Sequence, residues 1–479
     1  MARHPLLYAA AAVGYAAVGF VAVALLRRRR RRRGTALPHL RTAIPGPRSQ
    51  ALISRLALHE CPAITARRAR RADALGAAAS DPIVWARAVG ANVECVDGNV
   101  FIDLTSGFGV ATLGHASAPV CAAGARMLRR PLIHAMGDAF ADGSRVELLE
   151  LLASFAPALP KGILGCSGAD AVQAALKTAA LATGRTGVLA FSGGYHGLAH
   201  GALAVSDYHH PSFRAPFAAQ LGGHATFADF GKLPLPPLAA AGIGAVIVEP
   251  IQGRGGIREA GAAWLRALRA HCDAEGALLV YDEIYSGFGR TGEWFAYEAV
   301  AAAEAAAAEG GGYGTGPAPP VPRPDLLCLG KAMAGGFPLS VCLGTKAAMD
   351  AWGASRGESL HTQTFLGNPL GCAMAVAALR ELRRIDAPSL ARRKGAALQK
   401  MLAAAGFDKV RGRGLMLAVE VADPLHAMAA LLRRGVIALP CGEGADFAMA
   451  LVPPLTATDA QLQFCVDALK AACDEQARS

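Results

Sequence analysis

The chain has 479 residues, 53% hydrophobic and 18% charged, a composition that can bury a large core and that excludes a disordered chain or a small stapled scaffold. Its formal net charge is +11, but eleven of its 48 Lys and Arg precede the first acidic residue, Glu60, leaving 37 basic against 37 acidic residues beyond. A formally neutral body does not call for a groove that neutralises phosphates, so no nucleic-acid partner is expected.

Residues 1–59 read as an apolar, Arg-rich leader. Leu6 to Leu26 runs 21 residues without a charge, and Arg27 to Arg33 follow at once. That length can cross a bilayer as a helix, and the arginine block would hold its carboxyl end on the cytoplasmic-type side. A transmembrane anchor at 6–26, with the folded body on the Arg-rich side of the membrane, is the expectation; import into a mitochondrion or plastid is the alternative. The eleven Cys are scattered singly, without Cys-x-x-Cys or zinc-type Cys/His spacing, so they read as buried thiols and no metal is expected.

Beyond the leader, short apolar runs alternate with Ala/Leu-rich stretches, the pattern of a parallel sheet covered by helices. Strands are predicted at Val188 to Phe191, Ala245 to Val248, Leu278 to Tyr281 and Leu326 to Leu329, and helices at Ala169 to Ala182 and Ala262 to Glu275. The fold class is α/β. Residues 301–324 pass from an Ala/Glu run into a Gly/Pro-rich one, which reads as a surface insert.

Common catalytic motifs are missing: there is no G-x-x-x-x-G-K-[ST] loop, no H-E-x-x-H, and Gly165 to Ala169 fails the serine-hydrolase elbow at its last position. What remains is a series of polar residues at predicted strand ends, where open α/β sheets place their ligands. Ser167, Gly168 and Ala169 open a helix, a geometry that suits a phosphate, although taken alone it reads more readily as a plain N-cap by Ser167. Tyr195 and His196, in a Gly-rich turn after a strand, can lay a ring beside a planar ligand. Asp282, at the end of an apolar strand, requires a cation or donor, either a protonated ring nitrogen or an Arg. Lys331, at another strand end among small residues, suits Schiff-base chemistry because desolvation frees its lone pair. Together these are the protein parts that pyridoxal 5'-phosphate uses: anchor, stacking ring, pyridinium partner and imine lysine.

The stretches AVIVEPIQGRGG (245–256), GALLVYDEIYSGFGRTG (276–292), PDLLCLGKAMAGGFPL (324–339) and HTQTFLGNPLGC (361–372) resemble the class III pyridoxal-phosphate aminotransferases, the group of ornithine, acetylornithine and 4-aminobutyrate transaminases. The resemblance covers residues 97–455. It implies a fold-type I transferase with a large, mostly parallel-sheet cofactor domain at 116–368 and a small α+β domain assembled from 60–115 and 369–479. It also implies Lys331 as Schiff-base lysine and proton shuttle, Asp282 as pyridinium partner, Tyr195 as stacking ring, and Ser167 to Ala169 as phosphate seat. Thr364 would reach the phosphate of a neighbouring subunit in a homodimer, and Phe108 would wall the substrate pocket. Tyr285 stands where the family often has Gln, and its hydroxyl can take over that hydrogen bond. Where many members pair a Glu with a carboxylate-binding Arg, this chain has Arg254 and Ala450. Either Arg254 supplies the cation from the opposite side or the acceptor is a smaller keto acid. The implied reaction moves an amino group from an ω-amino acid or related amine to a keto acid; the alternative is an aminomutase or amino-phospholyase of the same fold.

Overall fold

The computed structural model describes residues 34–62, 64, 83–130, 132–302, 321–354 and 357–478. The amino-terminal strands are β1 (Trp85–Val89), β2 (Asn92–Cys95) and β3 (Val100–Asp103). There follow β4 (Lys161–Gly165), β5 (Gly187–Phe191), β6 (Ala225–Ala228), β7 (Ile243–Val248) and the short pair β8 (Ile251–Gln252) and β9 (Arg258–Glu259). Next come β10 (Leu278–Asp282), β11 (Leu326–Leu329) and β12 (Ser340–Gly344). The described strands end with β13 (Val410–Arg413), β14 (Met416–Val419), β15 (Val436–Ile437), β16 (Leu439–Cys441) and β17 (Ala448–Leu451).

A seven-stranded sheet forms the centre, in the order β4-β12-β11-β10-β7-β5-β6. Only β12 runs against the others, pairing antiparallel with both β11 and β4. Every residue of β7 and β11 is buried, as expected for apolar, largely branched runs covered by helices on both faces. Between β4 and β5 the Ala-rich helix Gly168–Thr183 crosses the sheet. A capping box of Ser167 and Asp170 starts it, and Gly184 in the left-handed conformation ends it. The sheet lies between two apolar layers, one built largely from that helix and the other continuous with the rest of the core.

Two smaller sheets flank this centre. In one, β15 adds in parallel to β3, so the segment before the large sheet is stitched to the segment after it. The other has the order β13-β14-β17-β16 and is antiparallel throughout. All eleven cysteines are outside disulfides and seven are buried, in keeping with the reading of buried thiols.

The expectation of a membrane anchor is corrected. Among the described residues no helix is long and apolar enough to cross a membrane, and residues 6–26 lie outside the described residues. Most of the insert at 301–324 also lies outside them.

Candidate active site

Strands β10 and β11 are parallel neighbours in the middle of the sheet, with Asp282 paired to Cys328, so the chain leaves both strands at the same edge. Asp282 is the last residue of β10, and Lys331 follows β11 after Gly330. Both line one cavity of about 670 Å³. Phe108, Ser167, Gly168, Ala169, Tyr195, His196, Arg254 and Tyr285 line it too, so residues spread over 224 sequence positions meet there. Thr364 does not; it is exposed and outside this cavity.

Asp282 is buried, and its partner is His196 rather than an Arg: His196 Nδ1 lies 2.8 Å from Asp282 Oδ2, and the Ile284 N–H donates to Oδ1 at 3.1 Å. Burial works to lower the His196 pKa, but the hydrogen bond and charge of Asp282 outweigh it and hold the pKa above its ordinary value. The buried carboxylate is thereby kept beside a proton source.

Glu249 follows β7, as Asp282 closes β10, and it is also buried. Its two oxygens accept from the backbone N–H of Tyr195 at 2.9 Å and of Gly253 at 2.9 Å, tying together two turns that line the cavity. Burial pushes its carboxyl up to about 7, Asp282 pushes the same way, and His196 opposes.

Lys331 adopts a left-handed backbone with φ of +41°, a conformation that costs a non-glycine residue about 1–3 kcal/mol and recurs at functional sites. Burial lowers its ammonium pKa; Asp282 and Glu249 oppose, and the positive charge of Arg254 lowers it further. Its Nζ lies 4.6 Å from the centroid of the Tyr285 ring. That ring lies against the backbone of Gly253, where a Cβ would stand 2.2 Å from Tyr285 Cδ1.

No metal-ligating group of three or more His, Cys, Asp or Glu occurs among the described residues. The cavity does fit pyridoxal phosphate. A flat pyridine needs room above the strand ends, and a Cβ at Gly168 would close on the Ile284 side chain at 3.0 Å, so glycine preserves the space beside the helix start. Ser167 itself is engaged as the helix N-cap, its Oγ accepting from the Asp170 N–H at 3.3 Å. Its neighbours Gly168 and Ala169 present the first turn and positive dipole end of a 16-residue helix to the cavity. A nearby aromatic (Tyr195), a buried acid (Asp282) and an amine of lowered pKa (Lys331) complete what the cofactor requires.

The family profile described as Aminotransferase class-III matches residues 75–473. The chain is a class-III aminotransferase. It is 33% identical to acetylornithine aminotransferase of Methanosarcina acetivorans over 395 residues, which cover 82% of this chain and 92% of that one. Putrescine aminotransferase of Pectobacterium atrosepticum is 34% identical, with 82% of each chain covered. Among solved structures, an amine transaminase from an uncultivated Pseudomonas species in its PLP-bound form superposes with a TM-score of 0.70 at 29% identity, covering 83% of this chain and 95% of that one. This class-III aminotransferase therefore uses pyridoxal phosphate and has the α/β fold of the fold-type I enzymes. The family match leaves out the leader, so it lends nothing to a membrane anchor.

Sequence reasoning missed Glu249 and Tyr208, both in the cavity wall. For Glu249 a signal existed, because an acid directly after an apolar strand is the same feature that exposed Asp282. For Tyr208, in a loop with no motif, none did.

Proposed function

We propose that this aminotransferase takes an ω-amino acid or related amine as donor and a keto acid as acceptor, with Lys331 and Asp282 as its catalytic pair. The observation that carries this reading is that a half-buried lysine of lowered pKa and a buried, His-backed aspartate leave adjoining parallel strands into one cavity. The cofactor, when bound, supplies an aldehyde that takes the amine and a ring that accepts the electron pair released when the neighbouring C–H bond breaks. Lys331 Nζ, uncharged at lower pH than an exposed lysine, removes that proton and returns it one position away. Asp282, steadied by His196, holds a proton on the ring nitrogen. Gly168 and Ala169, with the Ser167 cap, would seat the phosphate at the helix end, and Tyr195 and Tyr285, which line the same cavity, would hold the ring by stacking and by a hydrogen bond from a hydroxyl. Phe108, 56% exposed at the cavity mouth, and Arg254 border the substrate.

Thr364, exposed and away from its own cavity, serves the phosphate of a second copy in a homodimer. Sedimentation should give twice the chain mass, and Thr364→Ala should weaken cofactor affinity without changing the fold. The large domain occupies 116–368, and the small domain unites 60–115 with 369–479 through the β3–β15 pairing.

The deciding experiment is a single turnover of the cofactor-loaded protein with acetylornithine, 4-aminobutyrate and diamines. At least one amine should bleach the bound-cofactor absorbance, a keto acid should restore it, and Lys331→Ala should slow the exchange about 1,000-fold. Unchanged rates in Lys331→Ala would refute the assignment.

A further inference from the structure

The lining of the cavity carries three cationic side chains, Lys331, His196 and Arg254, and two acids, Glu249 and Asp282. Four of the five are committed. His196 and Asp282 hold each other, Glu249 accepts from two backbone N–H groups, and Lys331 is the reacting amine of the function proposed above. Nearby arginines also have carboxylates: Arg258 pairs with Asp446 at 3.0 Å, Arg411 with Glu420 at 2.9 Å and Arg413 with Glu259 at 2.6 Å.

Arg254 differs. Among the described residues no carboxylate pairs with it. Its guanidinium carbon lies 4.6 Å from the centroid of the Tyr195 ring and 5.0 Å from that of Tyr208. Two aromatic rings thus hold the group in place while leaving its charge uncompensated. Elsewhere the wall is apolar or small, with Leu439, Cys441, Ala450 and Val452 contributed by the carboxyl-terminal strands and the residue after them.

We propose that Arg254 is the carboxylate seat for both amino donor and keto acceptor, so that this enzyme selects amino acids over diamines and simple amines. This rests on the transaminase reading of Lys331. A carboxylate entering the site gains charge-assisted, two-pronged hydrogen bonds from a guanidinium that needs no rearrangement. A second ammonium in the same place meets Arg254 as a like charge, and both acids that could neutralise it are already engaged. The relative named for putrescine would differ from this enzyme on that point.

The test compares matched pairs on the cofactor-loaded enzyme with pyruvate as acceptor: β-alanine against 1,3-diaminopropane, 4-aminobutyrate against 1,4-diaminobutane, and 5-aminopentanoate against 1,5-diaminopentane. For the best chain length, kcat/KM should favour the acid about 100-fold. Arg254→Gln should remove that preference, raising KM for the acid and, with the like charge gone, improving kcat/KM for the diamine relative to the acid, and Arg254→Lys should retain part of it. Butyrate, which cannot react, should bind the wild-type enzyme and bind Arg254→Gln at least about tenfold more weakly by calorimetry. Equal use of acid and diamine by the wild type, or an equal loss for both in Arg254→Gln, would overturn the proposal. If no amine of either kind reacts, the reading of Lys331 is what fails. Butyrate binding then still decides Arg254, with weakening in Arg254→Gln in its favour and unchanged binding against it.

Discussion

The α-carbon of Gly109 lies so close to the ring of Tyr285 that a Cβ there would stand 2.4 Å from Cε2. Gly109 closes a run of four left-handed residues, with φ of +49° at Ser106, +56° at Gly107, +62° at Phe108 and +82° at Gly109. Asp103, fully buried, holds this run from below. Its Oδ1 accepts from the Thr105 N–H at 2.8 Å, and its Oδ2 accepts from the Gly107 N–H at 2.9 Å and lies 2.7 Å from His115 Nε2. The strained turn thus presses backbone against the ring that faces Lys331.

Gly109→Ala should therefore displace Tyr285 and lower kcat/KM by about 10- to 100-fold, since both the left-handed backbone and the contact oppose a methyl group. Removing the ring removes the contact. In a double-mutant cycle with Tyr285→Ala, the penalty of Gly109→Ala on thermal stability should shrink to its backbone part. Additive losses would show that the two residues do not press on one another.

Arg254 lowers the Lys331 pKa through its charge, in addition to the larger effect of burial. A cation's removal lets an amine hold its proton to higher pH, so Arg254→Gln should shift the Lys331 titration upward, toward the ordinary value of 10.5. Arg254→Lys, which keeps the charge, should leave it nearly in place. The rate at which cofactor-free protein recombines with pyridoxal phosphate, followed by absorbance across pH, reports this titration without any substrate. A downward shift in Arg254→Gln would contradict the argument.

The His196 pKa is raised in the folded protein, so its contribution to stability is complete below the ordinary histidine value and fades as pH rises through the folded value. Glu249, raised from 4.5 to about 7, acts in the same direction over a lower window, its contribution being lost as pH rises from about 4.5 through 7 and changing little beyond, so the decline above pH 7 belongs to His196. The melting temperature of cofactor-free protein should thus decline from pH 6.5 to pH 9. His196→Asn, which can still donate to Asp282 but does not titrate, should decline less steeply. A steeper decline in the variant would reverse the assigned sign.

Strand positions were legible because four apolar runs are buried on both faces, and β11 coincides with its predicted range while β10 extends one residue further to include Asp282. The paired cysteines at 328 and 342 mark β12, which is antiparallel and had no distinguishing pattern, because a fully buried strand reads alike in either direction. Lys331 stood out as a lone polar residue ending an apolar run, and Asp282 as the first of two acids ending another. The identity of the Asp282 partner did not, since His196 is 86 residues away and only the folded sheet brings the two together. Nor could local pattern show that Gly253 borders Tyr285, or that the Arg254 guanidinium rests on Tyr208, because those contacts come from turns that periodicity does not describe.

Gln461 provides a stability test that leaves the cavity intact. It is fully buried in the first turn of the helix Asp459–Gln476 and completes its capping box, its Oε1 accepting from the Thr458 N–H at 3.0 Å. From the same side chain, Nε2 donates to the Ala36 carbonyl at 3.0 Å and to Asn92 Oδ1 at 3.1 Å, so one amide joins the carboxyl-terminal helix to β2 and to the segment before it. Gln461→Ala strips the cap and leaves buried polar atoms short of partners, which should cost about 2–3 kcal/mol. Denaturant unfolding should show the loss as a lower midpoint, while kcat/KM of the remaining folded enzyme should stay within about twofold, because surface and core sites far from the chemistry act through stability alone. A variant with wild-type stability would mean that backbone packing, rather than this amide, holds the two ends of the chain together.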